Sequence, residues 1–307
     1  IKIGSYAYRF LCNTSSRVDL DYLQPVDGPI GRCFTLIDES GERTFAISAG
    51  LMNHLRPESI CQDLIEESSA LVISAYLMRT QGAETMTEAT MQAVKYANEA
   101  GIPVVLTLGT KFLIEQDPKW WADFVEKHVD ILAMNEEEGH AITGFEEPLL
   151  AANKALDWVD LVICTAGERG MFMAGYVDEQ FKRETEYPLL PGAIPDFNRY
   201  EFSRAMRKQD CERPIKAYSH TAPFMGGPDS IKNTNGAGDC ALAAVLHDIC
   251  ANEYHKRNVP NSAKHHHQAI TYSSLAQISK YANRASYEVL VQHSPRLTRG
   301  LPEREDC

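Results

Sequence analysis

The chain has 307 residues, 44% hydrophobic and 23% charged, a composition that supports a packed core and excludes a disordered polymer. Its 42 acidic and 30 basic residues leave a formal charge of −12 with no long Lys/Arg run, which argues against a nucleic-acid surface. Eight scattered cysteines without a C-x-x-C pair suggest neither a zinc site nor a disulfide framework, and no run approaches the ~18 apolar residues of a membrane span, so a cytoplasmic protein without membrane or nucleic-acid partners is expected.

The chain opens on "IKIGSYAYRF", without an initiator Met. That stretch reads as the body of a helix and suggests an N-terminally incomplete sequence. Next, "GRCFTLIDESGERTFAIS" (31–48) reads as two β runs with alternating polarity. A turn at Glu39-Ser40-Gly41-Glu42 joins them, predicting a small antiparallel lid over about 28–50 with one wet face. The apolar runs "ALVISAY" (70–76), "IPVVLTLG" (102–109), "DILAMN" (130–135) and "DLVICTAG" (160–167) follow. Helical patterns separate them, among them "TMTEATMQAVKYANEAG", "PKWWADFVEKHV" and "EEEGHAITG". Buried strands alternating with amphipathic helices predict βαβ units in a parallel sheet, a doubly wound α/β architecture. Residues 175–227, rich in Pro, Arg and aromatics, are too long for an ordinary connection and are expected to form a functional or interface insertion. Trp120 and Trp121 are expected as core anchors, and His265, His266 and His267 as a solvated polar run. The whole of 1–307 reads as a single domain.

Near the C-terminus, "IKNTNGAGDCALAAVLHD" (231–248) places two glycines directly ahead of a helical apolar pattern carried by Ala241, Leu242, Ala244, Val245, Leu246 and Ile249. Gly236, Ala237 and Gly238 thus fall at a helix N-terminus, where amides without intrahelical acceptors and the helix dipole favour an anion. Asp239 adds a group able to accept a proton from a hydroxyl. The residues alone leave a second reading open, a plain Asn-Gly turn followed by a dipole-stabilised carboxylate. Asn135-x-x-Glu138 likewise reads either as part of an oxygen-ligand site for Mg²⁺ or as a helix capping box, and "TAGERG" taken alone is a turn.

"NTNGAGD" followed by a small-residue helix resembles the C-terminal signature of the ribokinase-like, pfkB-type family of sugar and nucleoside kinases. "GPIGRCFTLIDESGERTFAISAG" resembles that family's lid, and "AMNEEEGHAITG", "CTAGERGMF" and "KYANRASYEVL" are similar to further motifs of it. The resemblance implies a three-layer α/β fold with a mainly parallel, doubly wound sheet and a small antiparallel β lid. It implies Asp239 as catalytic base, with an anion hole from Gly236, Ala237 and Gly238. It also implies nucleotide contacts at Thr165, Gly167, Gly170 and Asn283, and a water-mediated contribution of Asn135 and Glu138 to Mg²⁺ bound with ATP.

The segments "YAYRFLCNTSS", "PLLPGAIPDFNRYEFSRAMR" and "HSPRLTRGLPERED" resemble the branch of the family acting on inosine and guanosine. They imply transfer of the ATP γ-phosphoryl to the 5′-hydroxyl of one of these nucleosides for purine salvage. Another sugar or nucleoside kinase of the same fold, or an inactive nucleotide-binding fragment, are the alternatives. The family's upstream Gly-Gly-x-x-x-Asn segment, which binds sugar hydroxyls, has no counterpart in the chain. Asn233 stands where the family usually carries Asp, which leaves a K⁺ site open, and a homodimer is also left open.

Overall fold

The computed structural model describes residues 1–37, 43–79, 84–224 and 230–303, and the chain divides into two units, Ile1–Ser68 with Tyr76–Ala100 and Ser69–Ala75 with Gly101–Cys307. The expected turn at Glu39-Ser40-Gly41-Glu42 lies outside the described residues.

In the first unit, helix α1 (Tyr6–Cys12) starts at Ser5, whose hydroxyl oxygen accepts the Tyr8 N–H at 3.2 Å, satisfying one of the helix's orphan donors. Strands β1 (Arg32–Ile37) and β2 (Arg43–Ser48) pair antiparallel. Their register sets Phe34 opposite Ala46 and Thr35 opposite Phe45. Phe34 and Leu36 therefore share one face while Phe45 and Ile47 share the other, and all four are exposed. The single wet face expected from the alternation is thus not what the register produces: apolar side chains stand on both faces. Helices α2 (Gln62–Glu66) and α3 (Glu84–Ala100) complete this unit and pack on each other.

The second unit is built on six strands, β3 (Leu71–Ser74), β4 (Val104–Thr107), β5 (Ile131–Asn135), β6 (Leu161–Thr165), β7 (Met171–Asp178) and β8 (Pro214–Thr221). They lie side by side in chain order, the first three pairings parallel and the last two antiparallel. Val104, Val105, Leu106, Ile131, Leu132, Leu161 and Val162 are wholly buried, as continuous apolar strands require when both sheet faces are covered. One face, carrying Val105, Ile131, Leu161, Ile163 and Met173, forms a single core with α8 (Ala237–Asn258) and α9 (Leu275–Leu290). Alternate residues point the opposite way, and α6 (Glu136–Thr143) and α7 (Pro148–Ala155) pack against β5, β6 and β7. The result is a three-layer α/β fold. No helix among the described residues is long and apolar enough to cross a membrane.

The 175–227 segment is less of an insertion than its composition suggests. It begins within β7 and includes all of β8, so that 179–213 between the two strands is the part that departs from the sheet, while 225–227 lie outside the described residues. Buried Arg204 ties that part down: Nε donates to the Thr271 carbonyl at 2.8 Å, Nη1 to that of Lys264 at 2.7 Å, and Nη2 to Asn252 Oδ1 at 2.7 Å. Alongside, Asp248 Oδ1 on α8 accepts the amides of Tyr272 and Ser273.

Trp120 and Trp121 lie on α5 (Pro118–His128), which follows the short helix α4 (Lys111–Gln116). Trp121 is an anchor, 4% exposed with its indole N–H on the Leu113 carbonyl at 3.0 Å. Trp120 is 42% exposed and stacks on Phe124 from outside. Nor is the histidine run uniformly solvated: His265 Nε2 lies 2.7 Å from His255 Nδ1, and His267 stacks on Phe181.

Candidate active site

Parallel strands bring their C-terminal ends to one edge of the sheet, where loops are free to carry function. Asn135, the last residue of β5, is the register partner of Thr165, the last residue of β6. Asn135 also caps α6. Its Oδ1 accepts the Glu138 N–H at 2.8 Å, while Glu138 Oε2 accepts the Asn135 N–H at 2.9 Å and Oε1 the Asn135 Nδ2 at 3.2 Å. Asn135 and Glu138 thus form a reciprocal capping box. Glu138 is 5% exposed, and burial, with smaller contributions from Glu137 and Asp239, pushes its carboxyl up to about 7 against the opposing Asn135 N–H.

Beyond Thr165 a single 3₁₀ turn, Gly167–Arg169, reverses the chain into β7. Ala166 N–H donates to the Gly170 carbonyl at 2.8 Å and Gly170 N–H to that of Gly167 at 3.1 Å. Gly170 has φ 84°, and a Cβ there would lie 2.0 Å from the Thr221 carbonyl oxygen, so both conformation and space require glycine. Two residues within or facing this turn escaped the sequence reading. Arg169, inside the motif itself, pairs with Glu136 at the start of α6. His220 Nε2–H donates to the Arg169 carbonyl at 2.7 Å, a contact made across the β7–β8 pair that no local signal announces.

The third component is the start of α8. Lys232 and Asn233 both donate their N–H to the Leu290 carbonyl, at 2.8 and 3.2 Å. Asn233 Oδ1 accepts the Asn235 N–H at 2.9 Å, and its Nδ2 donates to the His293 carbonyl at 3.2 Å. Gly236 then turns the chain into the helix in the left-handed region, φ 82°, with a would-be Cβ 2.1 Å from the Pro295 carbonyl oxygen. The first helical bond runs from the Cys240 N–H to the Gly236 carbonyl at 2.9 Å. Among the described residues the N–H groups of Gly236, Ala237, Gly238 and Asp239 have no protein acceptor, and Gly238 and Asp239 are exposed. Four donors at the positive end of a 22-residue helix, next to an accessible carboxylate, suit a transferring anion.

Asn283, on α9, donates its Nδ2 to the Ala222 carbonyl at 2.8 Å. It therefore closes the strand end after β8 onto α9, where Thr221 and Ser279 share a 2.7 Å hydroxyl contact and Phe224 meets Tyr287.

The implied ions differ in fit. Among the described residues no three His, Cys, Asp or Glu side chains gather as a direct metal cage. Each Glu138 oxygen accepts one Asn135 donor and keeps a lone pair, which suits a hydrated Mg²⁺ reached through water. At Asn233, Oδ1 accepts the Asn235 N–H and keeps one lone pair while Nδ2 is turned to the His293 carbonyl, so the residue offers a K⁺ one neutral amide oxygen in place of the charged carboxylate usual in the family.

The sequence matches the pfkB family carbohydrate kinases over residues 7–188. It is 67% identical over 306 residues to the guanosine-inosine kinase of Escherichia coli strain K12, covering 100% of this chain and 70% of that protein. Among solved structures, adenosine kinase from Sinorhizobium meliloti aligns with a TM-score of 0.61 at 19% identity, over 89% of this chain and 65% of that one. Ribokinase from Giardia lamblia aligns at 0.57 and 16% identity, over 90% and 71%. At such identities the structural likeness speaks for the fold, which is ribokinase-like. The chain spans just under two thirds of the adenosine kinase and 70% of the guanosine-inosine kinase.

Proposed function

The chain belongs to the pfkB family of carbohydrate kinases, and from that premise we propose that it transfers the γ-phosphoryl of ATP to the 5′-hydroxyl of inosine or guanosine, giving IMP or GMP in cytoplasmic purine salvage. The supporting observation is the row of free amides from Gly236 to Asp239 at the start of α8, beside the exposed Asp239 carboxylate.

Asp239 accepts the proton of the attacking 5′-hydroxyl as the O5′–phosphorus bond forms and the bond from phosphorus to the β,γ-bridging oxygen breaks, releasing ADP. The amides of Gly236, Ala237 and Gly238 hold the negative charge spread over the equatorial oxygens, a preorganised donor set that needs no rearrangement at the moment of transfer. Mg²⁺ bound with ATP would neutralise phosphate charge, with Asn135 and Glu138 holding its water shell. Thr165, Gly167 and Gly170 line the nucleotide side at the end of β6, and Asn283 supports the adenine side through Ala222. Both units belong to one kinase domain, with 28–50 as its lid.

The test is phosphoryl transfer from ATP to a panel of inosine, guanosine, adenosine, ribose and fructose, with Asp239→Asn as control. Preference for ribose or fructose, or parental rates in Asp239→Asn, would overturn this reading.

A further inference from the structure

Ser286, on α9, donates its hydroxyl to the carbonyl oxygen of Ala237 at 2.8 Å. A serine inside a helix ordinarily returns its hydroxyl to a carbonyl one turn back in its own helix; this one reaches to the first residue of another. The carbonyl of Ala237 and the N–H of Gly238 belong to one planar peptide unit. A donor on the oxygen therefore fixes the plane in which that N–H points and, by polarising the amide, makes it a stronger donor.

We propose that Ser286 is a positioning residue for phosphoryl transfer, orienting and polarising the Gly238 N–H that faces the migrating group. The proposal rests on the kinase reading of the α8 N-terminus. The surroundings suit it. Cys240, one turn into α8, donates its Sγ–H to the Ala285 carbonyl at 3.2 Å, so adjacent residues of α9 exchange bonds with α8 in both directions. Gly236, just before Ala237, lies close against the carbonyl of Pro295, in the segment that follows α9. On Gly238 itself a Cβ would meet nothing within 4 Å, and its N–H has no acceptor among the described residues. The amide is thus held at its carbonyl end and open at its donor end.

The experiment compares the full chain with Ser286→Ala and Ser286→Thr. In Ser286→Ala, kcat is expected to fall about tenfold, less than deletion of a whole anion-hole donor would cost. The KM values for ATP and nucleoside should stay within about twofold, because the lost interaction acts in the transition state. The Gly238 amide proton resonance, recorded without substrate, should move upfield in Ser286→Ala and return in Ser286→Thr together with kcat. An unchanged kcat, or an unmoved Gly238 resonance, overturns the proposal. If Ser286→Thr does not fold, the two measurements on Ser286→Ala decide. If the parent phosphorylates no nucleoside, the kinase reading falls, while the substrate-free Gly238 resonance still decides whether Ser286 sets that amide.

Discussion

Asn135 and Thr165 stand opposite one another on the last rung of β5 and β6, so the α6 cap and the turn into β7 leave the sheet at the same level. Arg169, in that turn, pairs with Glu136, the residue after Asn135. The end of β8 is tied to the start of α8 through α9, by the Thr221–Ser279 and Asn283–Ala222 contacts on one side and Ser286–Ala237 on the other.

The proton-transfer role proposed for Asp239 predicts that Asp239→Asn lowers kcat by about 10²–10⁴. The folded state should not suffer, since the side chain is exposed. Steady-state kinetics beside a thermal melt check both halves: an unchanged kcat would remove Asp239 from the mechanism.

At Gly170 an added methyl collides with the Thr221 carbonyl oxygen at 2.0 Å in a left-handed conformation. Gly170→Ala should destabilise by about 3 kcal/mol or more, from strain and overpacking together. Gly167→Ala, at φ 48° with open space around it, meets only the backbone penalty and should cost about 1 kcal/mol. Denaturant titration of the pair tests the difference.

Glu138 is raised to about 7 from an ordinary 4.5. The native state therefore holds its proton more tightly than the unfolded chain does. Its contribution to stability is complete below pH 4.5 and declines as pH rises towards 7, with a slope of up to about 1.4 kcal/mol per pH unit in that window. Glu138→Gln, which keeps an acceptor for the Asn135 N–H, should flatten this dependence; parallel urea titrations from pH 4 to 8 with equal slopes would contradict the assignment.

Arg204 serves three acceptors on three segments. Arg204→Ala leaves the Thr271 and Lys264 carbonyls and Asn252 Oδ1 unserved in a buried site and should cost about 3–5 kcal/mol. Arg204→Lys should recover only part of it, since one ammonium lacks the planar fork. Chemical denaturation of the three proteins reads this directly.

The strands from 71 to 165 and the start of α8 were legible because their signals are local. Continuous Val/Ile/Leu runs announce burial on both faces, and Asn-Gly-Ala-Gly-Asp ahead of an apolar helical period announces a helix N-terminus. The capping box of Asn135 and Glu138 was legible for the same reason, its partners being three residues apart. What the residues left open, a turn or an anion cradle at 236–239, needed the hydrogen-bond partners of four amides, and those depend on every segment that could have supplied an acceptor.

The remainder was decided by pairings across long sequence separations. That Gly170 must be glycine follows from the Thr221 carbonyl behind it, that Phe34 and Phe45 face opposite ways from a strand register, and that Ser286 holds Ala237 from how α9 lies on α8. Residue types and periodicity specify which elements form, because each element satisfies its own backbone. Which side chain meets which carbonyl is a property of the assembled layers, and no local pattern carries it.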